Sequence, residues 1–486
     1  MKAITQIVRT VGFVTICCAG LLVARAGAEL PRLQVSRNGH FLVTEDGKPF
    51  FWLGDTAWRM VNKASRSNTS SQPSLLRYFD SRAAKGFNVI QTVVVGFGGQ
   101  VNAAGHTAFI DGDWARSRVV PGPANDYWDD MDWIVDQAAK RRLYLALLPF
   151  WLNTLPDNSP LVTKPAVAYR YGHFLGERYG RRSSVIWVLG GDAGRPGKNV
   201  DHPARLAMIR ALAEGIADGV SGEDKFDGKA DWGTSLMTYH PPGRGRSSSL
   251  WLHTEPWLDF NMIQTTTMFA FANYETVRAD YNKTPTKPTL DAEVAYEDSL
   301  SLNKDEPQNR RISPWDVRRA AYWNVFAGGF GHTYGHRSNI QWVREGERTS
   351  FGGHIPWAKA LDAPGAGQMA HLKRLMESLP FLSRVPDQSV IAGEAGKGFD
   401  HARATRDSNG TYALVYLPTG KPMNIRLGAL RGEKLKACWF GPRNGTTQRI
   451  GEFAARRTRR FTPPTSGHGQ DWVLVLSDKS WNLPAP

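Results

Sequence analysis

The chain has 486 residues and a formal net charge of +15, with 41% hydrophobic and 22% charged residues. These proportions are those of soluble globular proteins, and they exclude a disordered chain, a collagen-like repeat and a protein with many membrane spans. At about 150 residues per domain, the length allows roughly three domains, or one large barrel with an accessory domain. The 17 tryptophans and 48 glycines favour a carbohydrate-facing cleft built on loops, although large aromatic cores would explain them equally well.

The first 28 residues have the features of a secretory signal peptide. Lys2 and Arg9 are basic, and residues 11–24 form an apolar run that is short for a membrane span. Residues 26–28 are Ala-Gly-Ala, the small-x-small pattern that signal peptidase recognises. We predict cleavage after Ala28 and an exported protein, periplasmic or secreted, with no stable membrane insertion. An uncleaved anchor is the alternative.

Cysteine usage excludes a disulfide framework. Cys17 and Cys18 lie in the predicted signal peptide, so the mature protein would retain only Cys438. One thiol cannot form an internal disulfide, and the exported protein must therefore be stabilised by its core alone. Cys438 lies in an apolar segment that we interpret as a buried strand.

Positive charge is concentrated towards the C-terminus. From Phe381 onward there are 16 basic and 8 acidic side chains, and Arg456, Arg457, Arg459 and Arg460 form the densest cluster. A basic surface can bind an acidic polysaccharide, an anionic envelope surface or nucleic acid, and an ordinary solvated surface is the alternative. Because the sequence has no recognisable nucleic-acid-binding module, we expect no nucleic-acid partner.

Alternating apolar runs and helix-like stretches predict a (β/α)8 TIM barrel over residues 29–380, after the signal peptide of residues 1–28. Near-continuously apolar strands are typical of a parallel sheet buried on both faces, and eight β/α units in about 340 residues fit a barrel. A doubly wound sheet is the alternative, but no glycine-rich phosphate loop follows the first run. The predicted strands are 50–55, 89–95, 143–151, 185–189, 234–239, 260–265, 288–293 and 328–334, with helices at 75–85, 128–142 and 202–218.

The sequence pattern changes after residue 380. Helical stretches are lost, and short strands alternate with turns such as Asn409-Gly410 and Asn444-Gly445. We predict a C-terminal antiparallel β-sandwich over residues 381–486. We also predict a small meander over residues 33–49, with turns at Asn38-Gly39 and Asp46-Gly47, that caps the bottom of the barrel. The predicted sandwich strands are 389–392, 401–405, 412–417, 423–427, 434–440 and 472–476.

Two acidic residues at predicted strand ends form the candidate catalytic pair. A parallel barrel has its active site at the carboxyl ends of its strands, where buried charge is costly without a function. Asp192 follows the fourth strand and Glu293 ends the seventh, on opposite sides of the barrel, and Gly190-Gly191 would let the backbone bend and aim Asp192 inward. Glycoside hydrolysis requires two such carboxyl groups. An ion pair of Asp192 with Arg195 is the alternative.

Other polar and aromatic residues at the strand ends are predicted to contact substrate. Asp291 lies two residues before Glu293, so both would share a strand face and one pKa would be raised, although an anchoring role for Asp291 is equally open. Trp58 and Trp151 would stack on sugar rings or pack in the core. The predicted substrate-binding residues are Asp55, Trp58, Trp151, His240, Gln264, Asp291, Tyr296, His332, Tyr334 and His336.

Metal and serine-hydrolase chemistry are less well supported by the sequence. His332 and His336 have an i, i+4 spacing, but Gly335 and the strand context disrupt the helix on which that spacing converges on zinc. No acidic residue completes an HExxH motif, and no GxSxG motif lies near a plausible His/Asp pair. We therefore predict no metal and no cofactor.

Seven short motifs occur in order along the chain. They are residues 51–58, 187–192, 291–293, 332–336, 385–389, 416–420 and 469–475. The first four resemble the apiosidase-like proteins of glycoside hydrolase family 140, whose founding activity releases the branched furanose apiose from pectic side chains. The last three resemble that family's C-terminal domain, which is described as collagen-binding. The resemblance covers nearly all of residues 33–480.

The resemblance implies a (β/α)8 barrel with a β-sandwich, an Asp after strand four as acid/base and a Glu after strand seven as nucleophile. These roles fall on Asp192 and Glu293, although Asp192 follows a glycine where the wider clan of retaining barrels has Asn-Glu. A sandwich of about 100 residues can simply pack on the barrel, so we discount collagen binding.

From the residues and the resemblance we predict an exported glycoside hydrolase. Its substrate would be a furanoside or side-chain sugar of an oligosaccharide or polysaccharide, acidic polymers included, and its mechanism would be retaining. A non-catalytic polysaccharide-binding protein on a barrel scaffold is the alternative.

Overall fold

The structure of the chain is a computed structural model. It describes residues 29–66, 73–97, 100–114, 126–193, 202–265, 268–269, 271–301 and 310–478, with the side chain of residue 111 left out. The predicted signal peptide, with Cys17 and Cys18, and the alternative ion-pair partner Arg195 lie outside the described residues. None of the helices in the described ranges is both long and apolar enough to cross a membrane.

A three-stranded antiparallel sheet begins the described chain, as predicted. It consists of β1 (Leu33–Val35), β2 (Leu42–Thr44) and β3 (Pro49–Phe50). Gly39 and Gly47 turn the chain between these strands with φ angles of 74° and 81°, a conformation that glycine adopts without steric cost. The predicted Asn-Gly and Asp-Gly turns are therefore confirmed.

Eight parallel strands lie where the sequence predicted them, and one short strand is additional. In chain order the nine strands are β4 (Trp52–Thr56), β5 (Val89–Val95), β6 (Tyr144–Phe150), β7 (Val185–Gly190), β8 (Met237–His240), β9 (Arg246–Ser247), β10 (Asn261–Gln264), β11 (Thr289–Glu293) and β12 (Gly331–Tyr334). The additional strand, β9, pairs antiparallel with β10.

These strands form a curled parallel sheet in two parts. Six are hydrogen-bonded in the order β12-β4-β5-β6-β7-β8, and β10 pairs in parallel with β11. Among the described residues, no ladder joins β8 to β10 or β11 to β12, although Cα atoms of each pair approach within 8 Å. The structure therefore shows an α/β fold with a curled parallel sheet that surrounds an interior, without a continuous ladder around it.

Helices connect most consecutive strands on the outside of the curled sheet. The described residues form twelve helices: α1 (Met60–Lys63), α2 (Leu75–Ala84), α3 (Tyr127–Lys140), α4 (Pro160–Thr163), α5 (Pro165–Tyr179), α6 (Pro203–Ser221), α7 (Ser249–Leu252), α8 (Asn273–Tyr281), α9 (Pro314–Phe326), α10 (Arg337–Gln341), α11 (Trp357–Ala360) and α12 (Pro364–Glu377). The strand-to-strand crossovers include α2, α3, α5, α6, α8 and α9, and α12 follows β12.

The helices that flank β7 pack with their backbones in contact. A Cβ at Gly176 of α5 would lie 2.1 Å from the carbonyl oxygen of Ile216 in α6. In the other direction, a Cβ at Gly215 of α6 would lie 2.1 Å from the carbonyl oxygen of Tyr169 in α5. Since real Cβ atoms do not approach backbone this closely, the glycines permit the contact. This packing supports the strand that leads to Asp192.

The C-terminal domain contains two antiparallel sheets. Six strands pair in the order β13-β14-β15-β20-β17-β18, and β16 pairs with β19. The bounds of these strands are β13 (Arg384–Pro386), β14 (Arg403–Asp407), β15 (Tyr412–Leu417), β16 (Met423–Arg426), β17 (Lys434–Phe440), β18 (Thr447–Ala454), β19 (Thr458–Phe461) and β20 (Trp472–Ser477).

The two central strands of the larger sheet, β15 and β20, are buried on both faces, which explains their apolar sequences. Ala413 and Val415 of β15 pack in the core of the C-terminal domain, whereas Leu414 and Tyr416 pack in the core that includes the barrel. Cys438 of β17 is buried, as predicted, and burial raises the pKa of its thiol to about 12. A thiol with that pKa stays protonated at neutral pH and is a poor nucleophile.

Part of the predicted strand pattern of this domain is wrong. Residues 389–392 were expected to form a strand, but Gln388–Val390 form a 3₁₀ turn, followed by a single β-bridge from Ile391 to Ile425. Three strands were not predicted: β13, β18 and β19. Most residues of β18 and β19 are at least partly exposed, so they lack the apolar pattern used to recognise strands.

A buried ion pair joins α9 to the C-terminal domain. The guanidinium of Arg318 donates two hydrogen bonds to the carboxylate of Asp471, at 2.8 and 2.7 Å. The hydroxyl of Tyr416 also donates to Asp471 at 3.2 Å, and its ring stacks on Tyr322 of α9 with centroids 4.7 Å apart. Burial opposes the charge of Arg318, but its hydrogen bonds to Asp471 raise its pKa overall.

We expect Asp471→Asn to lower the free energy of unfolding by about 3–5 kcal/mol, because Arg318 would remain charged and buried without its counter-ion. Urea unfolding followed by circular dichroism measures this change. The matched control is Asp46→Asn, which removes a carboxylate from an exposed pair with Lys48 and should leave stability almost unchanged. Equal losses in the two variants would show that the interdomain pair does not stabilise the fold.

Candidate active site

Asp192 and Glu293 lie together, as predicted, and His240 lies with them. One carboxylate oxygen of each acid and one ring nitrogen of His240 are all within 4.8 Å of one another. Nε2 of His240 is 3.0 Å from Oε2 of Glu293. The side chain of Glu293 is 12% exposed and that of His240 is fully buried. Three strand ends that are far apart in sequence therefore meet at one site.

A sharp backbone bend positions Asp192. Gly190 and Gly191 have φ angles of 93° and 109°, and Asp192 itself has a φ of 56°, in the left-handed region. A Cβ at Gly190 would lie 2.6 Å from the ring of Tyr239, and a Cβ at Gly191 would lie 3.0 Å from Trp151. Only glycine fits both positions, so the predicted bend after β7 is confirmed. Of the three residues, Asp192 is the strained one, because a left-handed φ is unfavourable for a residue with a side chain and occurs more often at functional sites.

A β-bulge positions Glu293. Ile263 of β10 pairs with Asp291, but the next residue, Gln264, pairs with Glu293, so β11 has one extra residue at Ala292. A bulge interrupts the two-residue alternation of side chains and redirects the residue that follows it. The expectation that Asp291 and Glu293 share a strand face assumed regular alternation and is wrong for this reason.

Asp291 faces the helices outside the sheet. Its carboxylate is fully buried and accepts hydrogen bonds from the hydroxyl of Thr265 at 2.8 Å and from Nδ2 of Asn273, the first residue of α8, at 3.0 Å. Burial raises the pKa of Asp291 to about 7, the charge of Glu293 acts in the same direction, and the two hydrogen bonds act against it. This placement corresponds to the anchoring role that the sequence left open.

Two more predicted substrate contacts are also placed among the outer helices. Asp55 is fully buried, and its carboxylate accepts hydrogen bonds from Tyr78 at 2.6 Å and from Arg82, both in α2. Tyr334 is fully buried and donates to Glu297 at 2.5 Å. The structure does not bring Asp55 or Tyr334 to the carboxylate pair.

His332 and His336 are both buried and serve the packing of β12 and α10. Nδ1 of His332 lies 3.5 Å from Nδ2 of Asn324 in α9. Nδ1 of His336 accepts a hydrogen bond from the backbone of Ser338, at 3.1 Å, and caps α10. Burial lowers the pKa of each histidine to about 3, so both are neutral at pH 7.

Aromatic rings enclose one side of the site. The rings of Trp58 and Trp151 meet edge to face with centroids 5.0 Å apart, and each lies 5.1–5.2 Å from the imidazole of His240. Trp58 is 3% exposed and Trp151 is 4% exposed, so they pack mainly on protein. Phe97, which contacts Trp151 at 4.8 Å, was missed. Phe97 follows β5, and none of the predicted substrate-binding residues lies at the end of that strand.

Tyr296 and Gln264 lie on the Glu293 side of the site. Burial raises the pKa of the Tyr296 hydroxyl well above its usual value, and the negative charge of Glu293 raises it further. The guanidinium of Arg337, another residue that the sequence did not indicate, lies 5.1 Å from the ring of Tyr296. Gln264 is 4% exposed and is the register partner of Glu293.

The carboxylate pair and His240 are also the residues that could bind a metal ion. Among the described residues, they are the group of three acidic or histidine side chains with donor atoms close enough for one ion. Two carboxylates and an imidazole are suitable ligands for zinc. The predicted i, i+4 pair His332 and His336 does not belong to such a group in this part of the chain.

The buried carboxyl of Asp291 gives a pH-dependent prediction. Its folded pKa of about 7 exceeds the value of about 3.9 in an unfolded chain, so the folded state binds the proton more tightly and stability falls as pH rises between these values. Asp291→Asn mimics the neutral acid. Wild type loses stability from pH 5 to pH 8 and the variant does not. The unfolding free energy of the variant minus that of wild type should therefore increase by about 2–3 kcal/mol over this range. Urea unfolding at both pH values measures this, and an unchanged difference would contradict a raised pKa.

Family models match almost the whole described chain. The model of the apiosidase-like catalytic domain matches residues 36–383. The model described as "putative collagen-binding domain of a collagenase" matches residues 385–477. No curated protein matches the chain.

Solved structures of glycoside hydrolases are similar in both sequence and fold. One glycoside hydrolase is 34% identical, with 93% of this chain and 98% of that chain covered and a TM-score of 0.82. A glycoside hydrolase family 5 protein from Bacteroides vulgatus is 35% identical, with 94% and 96% covered and a TM-score of 0.82. With its catalytic-domain match and these relatives, the chain belongs to the apiosidase-like family and is a glycoside hydrolase.

Proposed function

We propose that the chain is an exported, retaining glycosidase that removes a furanoside or similar side-chain sugar from a polysaccharide. The observation that carries this proposal is the approach of Asp192 and Glu293 to within 4.8 Å. Retaining enzymes have their two carboxyl groups about 5–5.5 Å apart, whereas inverting enzymes leave about 6.5–9.5 Å for a water molecule. In this chain one oxygen of Asp192 lies within 4.8 Å of one oxygen of Glu293, and an approach this close favours retention.

Each acid has a defined task in the proposed reaction. Glu293 attacks the anomeric carbon while Asp192 donates a proton to the leaving oxygen, and the glycosidic bond breaks as a glycosyl ester forms on Glu293. Asp192 then removes a proton from water, which attacks the same carbon and releases Glu293 as a carboxylate. His240, 3.0 Å from Glu293, orients the nucleophile.

A groove beside the site supports a polymeric substrate. Gly96 at the end of β5 and the segment 154–160 after β6 line this groove, which has a volume of about 470 Å³. The backbone of Asn153, which precedes the segment, donates to the carbonyl of Gly191 at 2.9 Å, so the groove adjoins the bend that holds Asp192. Sugar units next to the cleaved bond would bind here.

The proposal includes a closed (β/α)8 barrel. The approach of β8 to β10 and of β11 to β12 within 8 Å supports closure, since the strand order is that of a barrel. Closure is what would place the ends of β7 and β11 across one opening.

We expect Glu293→Gln to reduce turnover at least about 10⁴-fold while the circular dichroism spectrum is unchanged, because an amide is not a nucleophile. A panel of aryl glycosides and plant and bacterial polysaccharides, read by product chromatography, identifies the substrate and measures the loss. Glu345→Gln, at an exposed position, is the matched control and should retain full activity.

Three outcomes would contradict this proposal. Near-normal activity of Glu293→Gln would show that Glu293 is not the nucleophile. Inhibition of the wild type by EDTA that a divalent cation reverses would instead assign Asp192, His240 and Glu293 to a metal site. Binding of a polysaccharide without turnover of any substrate would support the alternative of a non-catalytic binding protein.

Export is proposed from the N-terminal sequence alone. The basic residues, the apolar run of residues 11–24 and the Ala-Gly-Ala pattern support cleavage after Ala28. When the full chain is expressed in a Gram-negative host, we expect protein outside the cytoplasm whose N-terminal sequence begins at Glu29. Cytoplasmic protein that begins at Met1 would contradict export.

A further inference from the structure

A groove between α8 and the C-terminal domain has no role in the proposed reaction. It has a volume of about 580 Å³, and its walls come from both parts of the molecule. Tyr274, Glu275 and Arg278 of α8 form one wall, and His401 and Arg403 at the start of the C-terminal sheet form the other. These residues lie on a crossover helix and on a separate domain, and none of them is at a strand end of the barrel.

Arg403 is a buried cation that lines this groove, and no carboxylate in the described part of the chain lies within ion-pair distance of it. It is 4% exposed, and within the described residues its Nε has no hydrogen-bond partner. Its guanidinium lies 5.2 Å from the centre of the Tyr274 ring. Burial lowers the pKa of Arg403 to about 10, and the positive charge of the nearby Arg278 contributes to this. Arg278, on the other wall of the groove, adds a second positive charge, and two like charges on one groove favour binding of an anion.

The groove also contains a hydrogen-bond acceptor and one acid. Nδ1 of His401 lies 3.2 Å from the carbonyl oxygen of Gly396, which assigns the proton to Nδ1. Nε2 of the same ring is then an acceptor, and it is buried without a partner in the described part of the chain. Glu275 is the acidic side chain that lines the groove, and its charge partly offsets those of Arg278 and Arg403.

We propose that this groove is a second carbohydrate-binding site that takes the carboxylate of an acidic sugar. Arg278 and Arg403 would bind the carboxylate, since guanidinium groups pair with planar oxyanions through two parallel hydrogen bonds. Nε2 of His401 would accept a hydrogen bond from a ring hydroxyl. Inorganic phosphate offers the charge but has no hydroxyl on a sugar ring at a distance from the charged group, so a uronic acid can contact the arginines and His401 together.

The basic cluster of Arg456, Arg457, Arg459 and Arg460 lies in β19 and the segment before it and is not part of this site. The guanidinium of Arg459 lies 3.8 Å from the ring centre of Phe453 on the surface of the C-terminal domain, and these residues do not line the groove. Arg278 and Arg403 differ from this cluster because both of them line the groove.

Calorimetric titration of the full-length protein tests the proposal. The titrations use the Glu293→Gln background so that no probe is cleaved, and the result then does not depend on the identity of the nucleophile. The probes are a tetrasaccharide of uronic acid units, the corresponding neutral hexose tetrasaccharide and inorganic phosphate. We expect the acidic tetrasaccharide to bind at least about tenfold more tightly than the neutral one, with an affinity that falls as salt is raised.

Variants of exposed residues identify the site without disturbing the core. Arg278→Gln should weaken binding of the acidic tetrasaccharide about tenfold or more, and Glu275→Gln should strengthen it. Arg449→Gln, which removes one charge from an exposed arginine of the C-terminal domain away from the groove, is the matched control and should have no effect. Arg403→Gln should abolish binding, and its unfolding transition shows whether the variant is folded.

Three results would overturn the proposal. Equal weakening by Arg278→Gln and Arg449→Gln would show that attraction is due to net charge alone. Equal affinity for the acidic and neutral tetrasaccharides would show that the groove does not recognise the sugar carboxylate. Phosphate binding that depends on Arg278, without binding of the acidic tetrasaccharide, would exclude a sugar and leave an oxyanion site.

Discussion

Two carboxylates within 4.8 Å of each other repel in a site that is largely shielded from water, and the fold has to hold them there. Asp192 reaches its place because Gly190 and Gly191 bend the chain with φ angles that other residues rarely adopt. Glu293 reaches its place because a bulge in β11 redirects it. Both devices follow strands that are buried on both faces and supported by packed helices. The arrangement of the two acids is therefore imposed by the backbone, and it exists before any substrate binds.

The alternation of side chains along a strand decides which predicted contacts reach the site. Asp55 and Tyr334 end their strands, as an active-site residue would, but both point outward and bind residues among the outer helices. The end of a strand can be predicted from where an apolar run stops. Whether a side chain at that end points into the barrel or towards the helices depends on its exact number of residues from a position known to face inward. Asp291 shows a further limit of prediction from sequence. Asp291 and Glu293 point in different directions because of the bulge in β11, and no sequence pattern indicated that bulge.

Most of the fold could be predicted because burial leaves a pattern in the sequence. The eight parallel strands lie in apolar runs, and β15 and β17 were predicted with the bounds that the structure shows. The strands β18 and β19 were missed because they are polar and largely exposed, and they resemble loops. Contacts between distant segments could not be predicted at all. The pairing of His240 with Glu293 and that of Arg318 with Asp471 depend on the folded topology rather than on local spacing.

The central claim is that Glu293 forms a covalent bond to the sugar while Asp192 supplies and removes the proton. Asp192→Asn should slow release of the sugar more than its capture from an aryl glycoside with a good leaving group, so the intermediate should accumulate. Mass spectrometry of peptides from this variant, acid-quenched during turnover, measures the intermediate directly. The account predicts one added glycosyl unit on the carboxylate of Glu293. A glycosyl unit on another residue, or an unlabelled protein that releases product of inverted configuration, would contradict it.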